Sequence, residues 1–164
     1  MKERKDRGWA FRLPVAALGS EPVTGVEGPT LNPRGGIATV EGVEAVRQSI
    51  LLLLATRPGE RVMRPDYGCW LHRLVFAPND AGTAGLAMHY IRQAVERWEP
   101  RAQITHLIAG ADLTGVPDPG MLQIFLEFRV RRDGHKDQLA LGYALNEARL
   151  IDLHDDSNRG ELPV

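Results

Sequence analysis

The sequence predicts an α+β domain in which two main helices pack on a small, mainly antiparallel sheet that ends in a C-terminal β-hairpin. Two long segments carry apolar residues at helical spacing, and three later segments alternate apolar and polar residues as strands do. The helices precede the run of strands, with few crossovers between them, and this order favours antiparallel pairing. The 164 residues are enough for one domain with its own core.

The N-terminal part should contain a strand, a loop and the first helix. Trp9, Phe11 and Leu13 alternate with smaller or polar residues, which indicates a short strand. The following stretch is rich in glycine and proline and reads as a loop. The first helix is expected from about Val40 to Thr56, with Arg47 among the residues that face water.

The C-terminal part should contain the second helix and the sheet. Asn79 or Asp80 can cap a helix that ends at Trp98, because Pro100 disfavours a helical conformation at the residue before it. Strands are expected at 102–109, with a bulge, at 121–131 and at 139–145, with Asp133-Gly134 as the hairpin turn. Beyond this point the chain is polar and is expected to fray. The resulting divisions are a basic N-terminal segment with the first strand (1–13), a Gly/Pro-rich loop (14–36), the α+β core (37–145) and an acidic tail (146–164).

The charge and the cysteine count restrict the function. The net charge is −1, so no global basic field favours nucleic acid as a partner. No apolar run is long enough to cross a membrane. Cys69 is the only cysteine, which excludes an internal disulfide and predicts a cytoplasmic protein. Residues 1–13 carry a net charge of +3, and residues 147–164 a net charge of −3. These ends are either solvated tails or segments that dock onto neighbours of opposite sign.

No motif for catalysis, metal or cofactor binding is present in the sequence. There is no H-E-x-x-H pattern, and one cysteine cannot build a zinc cluster. A carboxylate pair for sugar hydrolysis could draw on Glu60, Asp66 and Glu99. Each of them lies one or two positions from an arginine, which favours the ionised form and opposes a general acid. We therefore predict no enzyme, with a peptidoglycan-cleaving, lysozyme-like hydrolase as the alternative.

Two charged segments are candidates for contacts with other proteins. Glu99 and Arg101 flank Pro100 at the end of the second helix, and they either brace the helix end or contact a partner. Arg61 and Arg64 lie in a segment stiffened by prolines, where they either pair within the domain or form a docking surface. The sequence leaves both pairs of alternatives open.

Several stretches taken together resemble one family, the small baseplate wedge protein of contractile injection systems, over roughly residues 8–145. This family serves phage contractile tails, related extracellular injection particles and the type VI secretion baseplate. The stretches are Gly8-Trp9-Ala10-Phe11, Gln48-Ser49-Ile50, Pro58-Gly59-Glu60-Arg61 with Met63-Arg64-Pro65, Tyr67-Gly68-Cys69, Leu74-Val75-Phe76-Ala77-Pro78-Asn79 and Trp98-Glu99-Pro100-Arg101.

The resemblance implies a structural subunit, present in several copies around the tube, that joins baseplate wedges to the first sheath ring. The family's wedge-docking motif maps onto Glu99, Pro100 and Arg101, and we add Arg61 and Arg64 to this site. The family's late strands resemble a template for sheath polymerisation, and they map onto 121–131 and 139–145. The implied partners are the sheath protein, other baseplate wedge subunits and the tube or hub proteins. The residues expected to support strand pairing with the sheath are Phe128, Val130, Leu139, Leu141, Tyr143 and Leu145. Such pairing needs a hairpin with a free edge.

Overall fold

A computed structural model describes residues 7–12, 16–17, 28–29, 31–113, 115 and 118–153. The described helices are α1 (Val43–Ala55), a short 3-10 helix (Trp70–Leu74) and α2 (Ala81–Trp98). The described strands are β1 (Arg7–Trp9), β2 (Phe11–Arg12), β3 (Ala16–Ala17), β4 (Gly28–Pro29), β5 (Thr39–Glu41), β6 (Ala102–Gly110), β7 (Met121–Val130), β8 (Lys136–Ala144) and β9 (Arg149–Asp152).

The predicted fold class is confirmed, because the two helices accompany a mainly antiparallel sheet. This sheet has the order β3-β9-β8-β7-β6, and only the short β3–β9 pair is parallel. Two further antiparallel ribbons join β1 to β5 and β2 to β4. The predicted bulge in β6 is also confirmed, since the register shifts between Ile104 and His106.

Both predicted helices are confirmed, and their apolar sides build the core. Asp80 is the N-cap of α2, and its Oδ1 accepts a hydrogen bond of 2.8 Å from the backbone N–H of Thr83. The α1 residues Val46 and Ile50 and the α2 residue Ile91 are fully buried. They belong to the same core cluster as the apolar side chains of β7 and β8. One continuous core therefore holds the helices on the sheet.

The N-terminal prediction holds only in part. The expected strand at 9–13 is divided into β1 and β2, and Leu13 lies outside the described residues. Trp9 is 57% exposed, so its side chain is not part of the core. In the expected loop at 14–36, the structure describes β3, β4 and residues 31–36, where Leu31 forms an isolated bridge with Ile37. Residues 1–6, 14–15, 18–27 and 30 lie outside the described part.

The expectation that the chain frays after Asn146 is wrong for four residues. The chain reverses near Ala148, which has a left-handed φ of 55°, and Arg149–Asp152 then pair with β8 as β9. Leu150 is only 5% exposed, so this strand contributes an apolar side chain to the core. The sheet consequently extends beyond the predicted hairpin. The rest of the acidic tail, 154–164, lies outside the described residues.

Arg47 does not face water as predicted. Its side chain is 14% exposed, and its Nη1 donates a hydrogen bond of 2.7 Å to the backbone oxygen of Gln138. The guanidinium also forms ion pairs with Asp137 at 3.3 Å and with Asp152 at 3.6 Å. The flank of α1 that helical spacing assigns to solvent instead lies against the sheet. Arg47 therefore connects α1 to both β8 and β9.

Candidate docking surface

The exit from α2 is a tight turn that leads directly into β6. Glu99 leaves the helical conformation with φ −125° and ψ 66°, while its N–H still donates to the Val95 oxygen at 2.9 Å. The N–H of Ala102 then donates to the Glu99 oxygen at 3.0 Å. Pro100 is exposed between them, and it has no N–H that the turn must satisfy. The predicted end of the helix at Trp98 is confirmed.

Glu99 and Arg101 contact each other at this turn. Arg101 donates from Nε and Nη2 to the two carboxylate oxygens of Glu99, and both distances are 2.6 Å. The Glu99 side chain is 3% exposed and that of Arg101 is 37% exposed. A buried carboxylate needs such a partner, because desolvation of an unpaired charge is costly. Of the two readings left open by the sequence, the structure shows the brace, and the Arg101 side chain remains partly exposed.

Tyr67 connects this turn to the loop that carries Arg61. The rings of Tyr67 and Trp98 meet edge to face with their centroids 5.4 Å apart. The Arg61 guanidinium carbon lies 4.2 Å from the centre of the Tyr67 ring. Burial raises the pKa of the Tyr67 hydroxyl, the positive charge of Arg61 lowers it and the negative charge of Glu99 raises it. Residues that are distant in the sequence thus converge around one aromatic ring.

The loop from Arg57 to Gly68 is held by its own backbone. Gly59 N–H donates to the Pro65 oxygen at 2.6 Å, and Arg64 N–H donates to the Arg61 oxygen at 3.1 Å. At its end, Gly68 has a φ of +132°, and a β-carbon there would lie 2.5 Å from the Thr56 oxygen. Only glycine fits this close approach of two backbone segments. The backbone of the loop is therefore braced at the positions that carry Arg61 and Arg64.

We call the combined feature the docking surface and define it by five residues, with Glu99 buried next to them. They are Arg61, Arg64, Tyr67, Pro100 and Arg101. Arg61, Arg64 and Pro100 are exposed, while Tyr67 and Arg101 are partly exposed. The surface combines cationic, aromatic and proline side chains, a composition suited to directional contacts with carboxylates of another protein.

The carboxylates considered for sugar hydrolysis are all engaged in contacts within the domain. Glu60 accepts a hydrogen bond of 2.9 Å from the Arg57 backbone, and Asp66 pairs with Arg97 at 2.7 Å. Glu99 is held by Arg101, as described above. Within the described ranges, no group of three or more His, Cys, Asp and Glu side chains is placed to hold a metal ion.

The six residues expected to support strand pairing lie in the core of the domain. Phe128, Leu139 and Leu141 are completely buried, and none of the other three is more than 4% exposed. The β7–β8 hairpin also has less free edge than expected, because β9 pairs with Leu141–Ala144 of β8. In the described part of the chain the sheet ends at β6 on one side, and on the other side at β9 with its two-residue partner β3. Contacts with another strand would have to use these outer strands or the first part of β8, Lys136–Leu139, which β9 does not cover.

Sequence reasoning did not select Tyr67, Val62 and Met63 as functional residues. Val62 and Met63 are 94% and 91% exposed. An adjacent apolar pair inside a charged, proline-bounded loop was the available signal, since loop positions of this kind are usually polar.

No helix in the described part of the chain is long and apolar enough to cross a membrane.

Comparison with known proteins places these features in a family. The family model described as "Baseplate wedge protein gp25" matches residues 40–135, which contain α1, the docking surface, α2 and the strands β6 and β7. The chain is also 32% identical over 77 residues to baseplate protein W of Escherichia phage P2, and this match covers 47% of the chain and 67% of that protein.

Two solved structures share the fold. One is a subunit of the anti-feeding prophage baseplate, with a TM-score of 0.58 and 26% identity over 79% of this chain and 90% of that subunit. The other, from Geobacter sulfurreducens, is provisionally assigned as a tail lysozyme, with a TM-score of 0.56 and 35% identity over 65% of this chain and 93% of that protein. The chain therefore belongs to the baseplate wedge protein gp25 family and is a structural baseplate component of a contractile tail-like particle.

Proposed function

We propose that this chain links baseplate wedges to the first sheath ring and starts sheath assembly by pairing with a strand of the sheath protein. Several copies act around the tube, close to the tube or hub proteins, and the particle is assembled in the cytoplasm. In this proposal the docking surface binds another wedge subunit, while the far side of the sheet receives the sheath strand. The protein acts without catalysis, cofactor or metal.

The wedge contact is supported by the rigidity and charge of the docking surface. Arg61 is stacked on Tyr67, and Arg101 is held by Glu99, so little side-chain entropy is lost when a partner binds. The exposed Arg61 carries guanidinium N–H donors suited to carboxylates. Arg64 adds a third exposed cation on the same loop. A partner surface with carboxylates is the chemical complement of this arrangement.

The sheath contact is supported by the weak occupation of the sheet next to β9. In the described part of the chain, β3 pairs there through Ala16 and Ala17, whereas β7 and β8 share nine register pairs. An incoming strand next to β9 gains main-chain hydrogen bonds that the two described β3 pairs leave unmade. The six core residues then have a supporting role, because they fix the β7–β8 hairpin on which β9 lies.

Cross-linking from single introduced cysteines tests both contacts. The native Cys69 is 2% exposed, so a cysteine placed on the surface is the reactive one. Arg149→Cys on β9, Arg64→Cys on the loop and Thr105→Cys on β6 all replace exposed residues. A photoreactive maleimide reagent is attached in purified particles, and the adducts are identified by mass spectrometry.

We expect sheath adducts from Arg149→Cys, wedge-subunit adducts from Arg64→Cys and no sheath adduct from Thr105→Cys. Sheath adducts from position 105 in place of 149 would contradict the proposed edge. Absence of wedge adducts from position 64, in particles that contain the chain, would contradict the proposed docking role.

Cell-wall hydrolysis remains the competing activity, because one relative of this fold carries the lysozyme assignment. The pairing of Glu60, Asp66 and Glu99 with groups of the same domain supports the non-enzymatic proposal. Purified protein should release no soluble fragments from peptidoglycan. Release that is abolished in a Glu60→Gln or Glu99→Gln variant would replace our proposal with the hydrolase.

A further inference from the structure

Val62 and Met63 are the two most exposed large hydrophobic side chains in the described part of the chain. They are consecutive, and both are more than nine-tenths exposed. A single exposed apolar residue is ordinary on a protein surface. An adjacent pair at the tip of a braced loop, next to a docking surface, is unusual, because the loop holds both side chains away from the rest of the domain.

The local backbone places this pair at the corner of a turn. The Arg64 N–H donates to the Arg61 oxygen at 3.1 Å, so Val62 and Met63 are the two central residues of a four-residue turn. Such positions are usually filled by glycine, proline, asparagine, aspartate or serine. The hydrogen bond from Gly59 to Pro65 at 2.6 Å closes the loop just outside the turn. The apolar corner is thus ordered before any partner binds, which reduces the entropic cost of binding.

The charge around the corner is mainly positive. Arg57, Arg61 and Arg64 are exposed on the loop. The loop also carries two carboxylates, of which Glu60 accepts a hydrogen bond from the Arg57 backbone and Asp66 pairs with Arg97. The apolar pair is therefore flanked by an excess of positively charged side chains. The complementary surface is an apolar pocket whose rim carries carboxylates.

We infer that Val62 and Met63 form an apolar plug that inserts into a carboxylate-rimmed apolar pocket on a neighbouring baseplate subunit. The inference rests on the proposed wedge contact and extends it. The plug is continuous with the docking surface, since the adjacent Arg61 stacks on Tyr67, which packs on Trp98 at the end of α2. The flexible thioether of Met63 suits a pocket of irregular shape.

The first test is competition for places in the particle. Tagged wild-type chain and a variant are produced at equal levels in the same cells, and their ratio is measured in purified particles. The double variant Val62→Ser/Met63→Ser removes the apolar surface, whereas Val62→Leu/Met63→Leu retains it. Because both side chains are exposed in the free domain, neither double variant should change the temperature of thermal unfolding. We expect the serine variant to be depleted about tenfold or more, and the leucine variant to stay near equal representation.

The second test identifies the occupant of the pocket. A photoreactive reagent on Met63→Cys should form adducts with apolar residues of another baseplate subunit that have Asp or Glu nearby. Adducts with a second copy of this chain, or with lipid, would overturn the inference, and so would equal representation of the serine variant. In both cases the wild-type chain is still present in the baseplate, so the proposed function stands. Absence of the wild-type chain from the particles would remove the proposed function together with the plug.

Discussion

The guanidinium of Arg101 donates two hydrogen bonds of 2.6 Å to the buried carboxylate of Glu99, and only Pro100 lies between the two residues in the chain. This arrangement changes what a substitution at Arg101 tests. Removal of the arginine leaves a buried carboxylate without its partner, so the domain itself is weakened. A substitution at Arg101 therefore tests the stability of the domain as well as its docking.

A double-mutant cycle measures the coupling of this pair. We expect Arg101→Gln to reduce the free energy of unfolding by about 2–3 kcal/mol, because the Glu99 carboxylate then stays buried without a cationic partner. In the background of Glu99→Gln the same change should cost much less, since the buried charge is already absent. Urea denaturation of the four proteins gives the coupling energy. Equal costs in both backgrounds would show that the two side chains do not stabilise each other in solution.

Gly68 should tolerate no side chain. A β-carbon at this position would lie 2.5 Å from the Thr56 oxygen, and the φ of +132° is itself unfavourable for other residues. We expect Gly68→Ala to reduce the free energy of unfolding by about 2 kcal/mol or more. It should also accelerate modification of the adjacent Cys69, a buried thiol whose pKa is raised to about 11 mainly by burial.

The control for this prediction is Gly85→Ala in α2, where the new methyl group would meet no atom within 4 Å. This change should stabilise the domain by about 0.5–1 kcal/mol, since alanine favours the helix. Thiol labelling with a chromogenic disulfide reagent at pH 8 and thermal unfolding report both effects. A Gly68→Ala protein with unchanged labelling and stability would refute the tight approach of the two segments.

Phe76 is held in a left-handed conformation with φ 62°, and its side chain is 84% exposed. Its backbone N–H donates to the Leu145 oxygen at 2.8 Å, which fixes this strained geometry. Phe76→Gly should raise the free energy of unfolding by about 0.5–1 kcal/mol, because glycine adopts this φ without the clash of a β-carbon. Phe76→Ala retains the β-carbon and should give no gain. A gain of the same size from alanine would trace the effect to the ring instead of the backbone.

The cap of α2 should make stability depend on acid pH. Hydrogen bonding from the Thr83 backbone lowers the pKa of Asp80 below its ordinary value of 3.8. A lowered carboxyl pKa in the folded state stabilises the fold above pH 3.8, and this stabilisation is lost as the pH falls through the lower folded value. Asp80→Asn keeps a capping oxygen without a titrating group. Its unfolding temperature should therefore fall less than that of the wild type between pH 5 and pH 2.5 (roughly the range in which carboxyls titrate). Parallel pH profiles of the two proteins would contradict this assignment.

The regular parts of the fold followed from local patterns that one segment carries by itself. The apolar spacing of α1, the alternation of β7 and the capping position of Asp80 each need only neighbours in the sequence. The predictions that failed concern residues whose contacts come from a distant segment of the chain. Arg47 lies at an outward position by helical spacing, but β8 and β9 supply its partners. The fourth antiparallel strand, β9, is short and charged, and its place depends on pairing with β8.

The docking surface also combines a local contact that the sequence predicted with distant contacts that it did not. The sequence correctly brought Glu99 and Arg101 together, because they are two residues apart. Arg61 was added to the same site without a physical contact to explain it. The missing element is Tyr67, which touches Arg61 and Trp98 from a loop whose path cannot be read from residue spacing.

The bulge in β6 has a consequence for the direction in which a polymer can grow. Ala102, before the register shift, and Leu107, after it, are both buried. Even-numbered residues therefore face the core before residues 104–106, and odd-numbered residues face it afterwards. A bulge bends and twists the strand, so its backbone N–H and C=O groups are not aligned for pairing with an additional strand. If the chain starts sheath assembly as proposed, extension is disfavoured at the β6 edge and takes place at the opposite edge, so growth has a single direction.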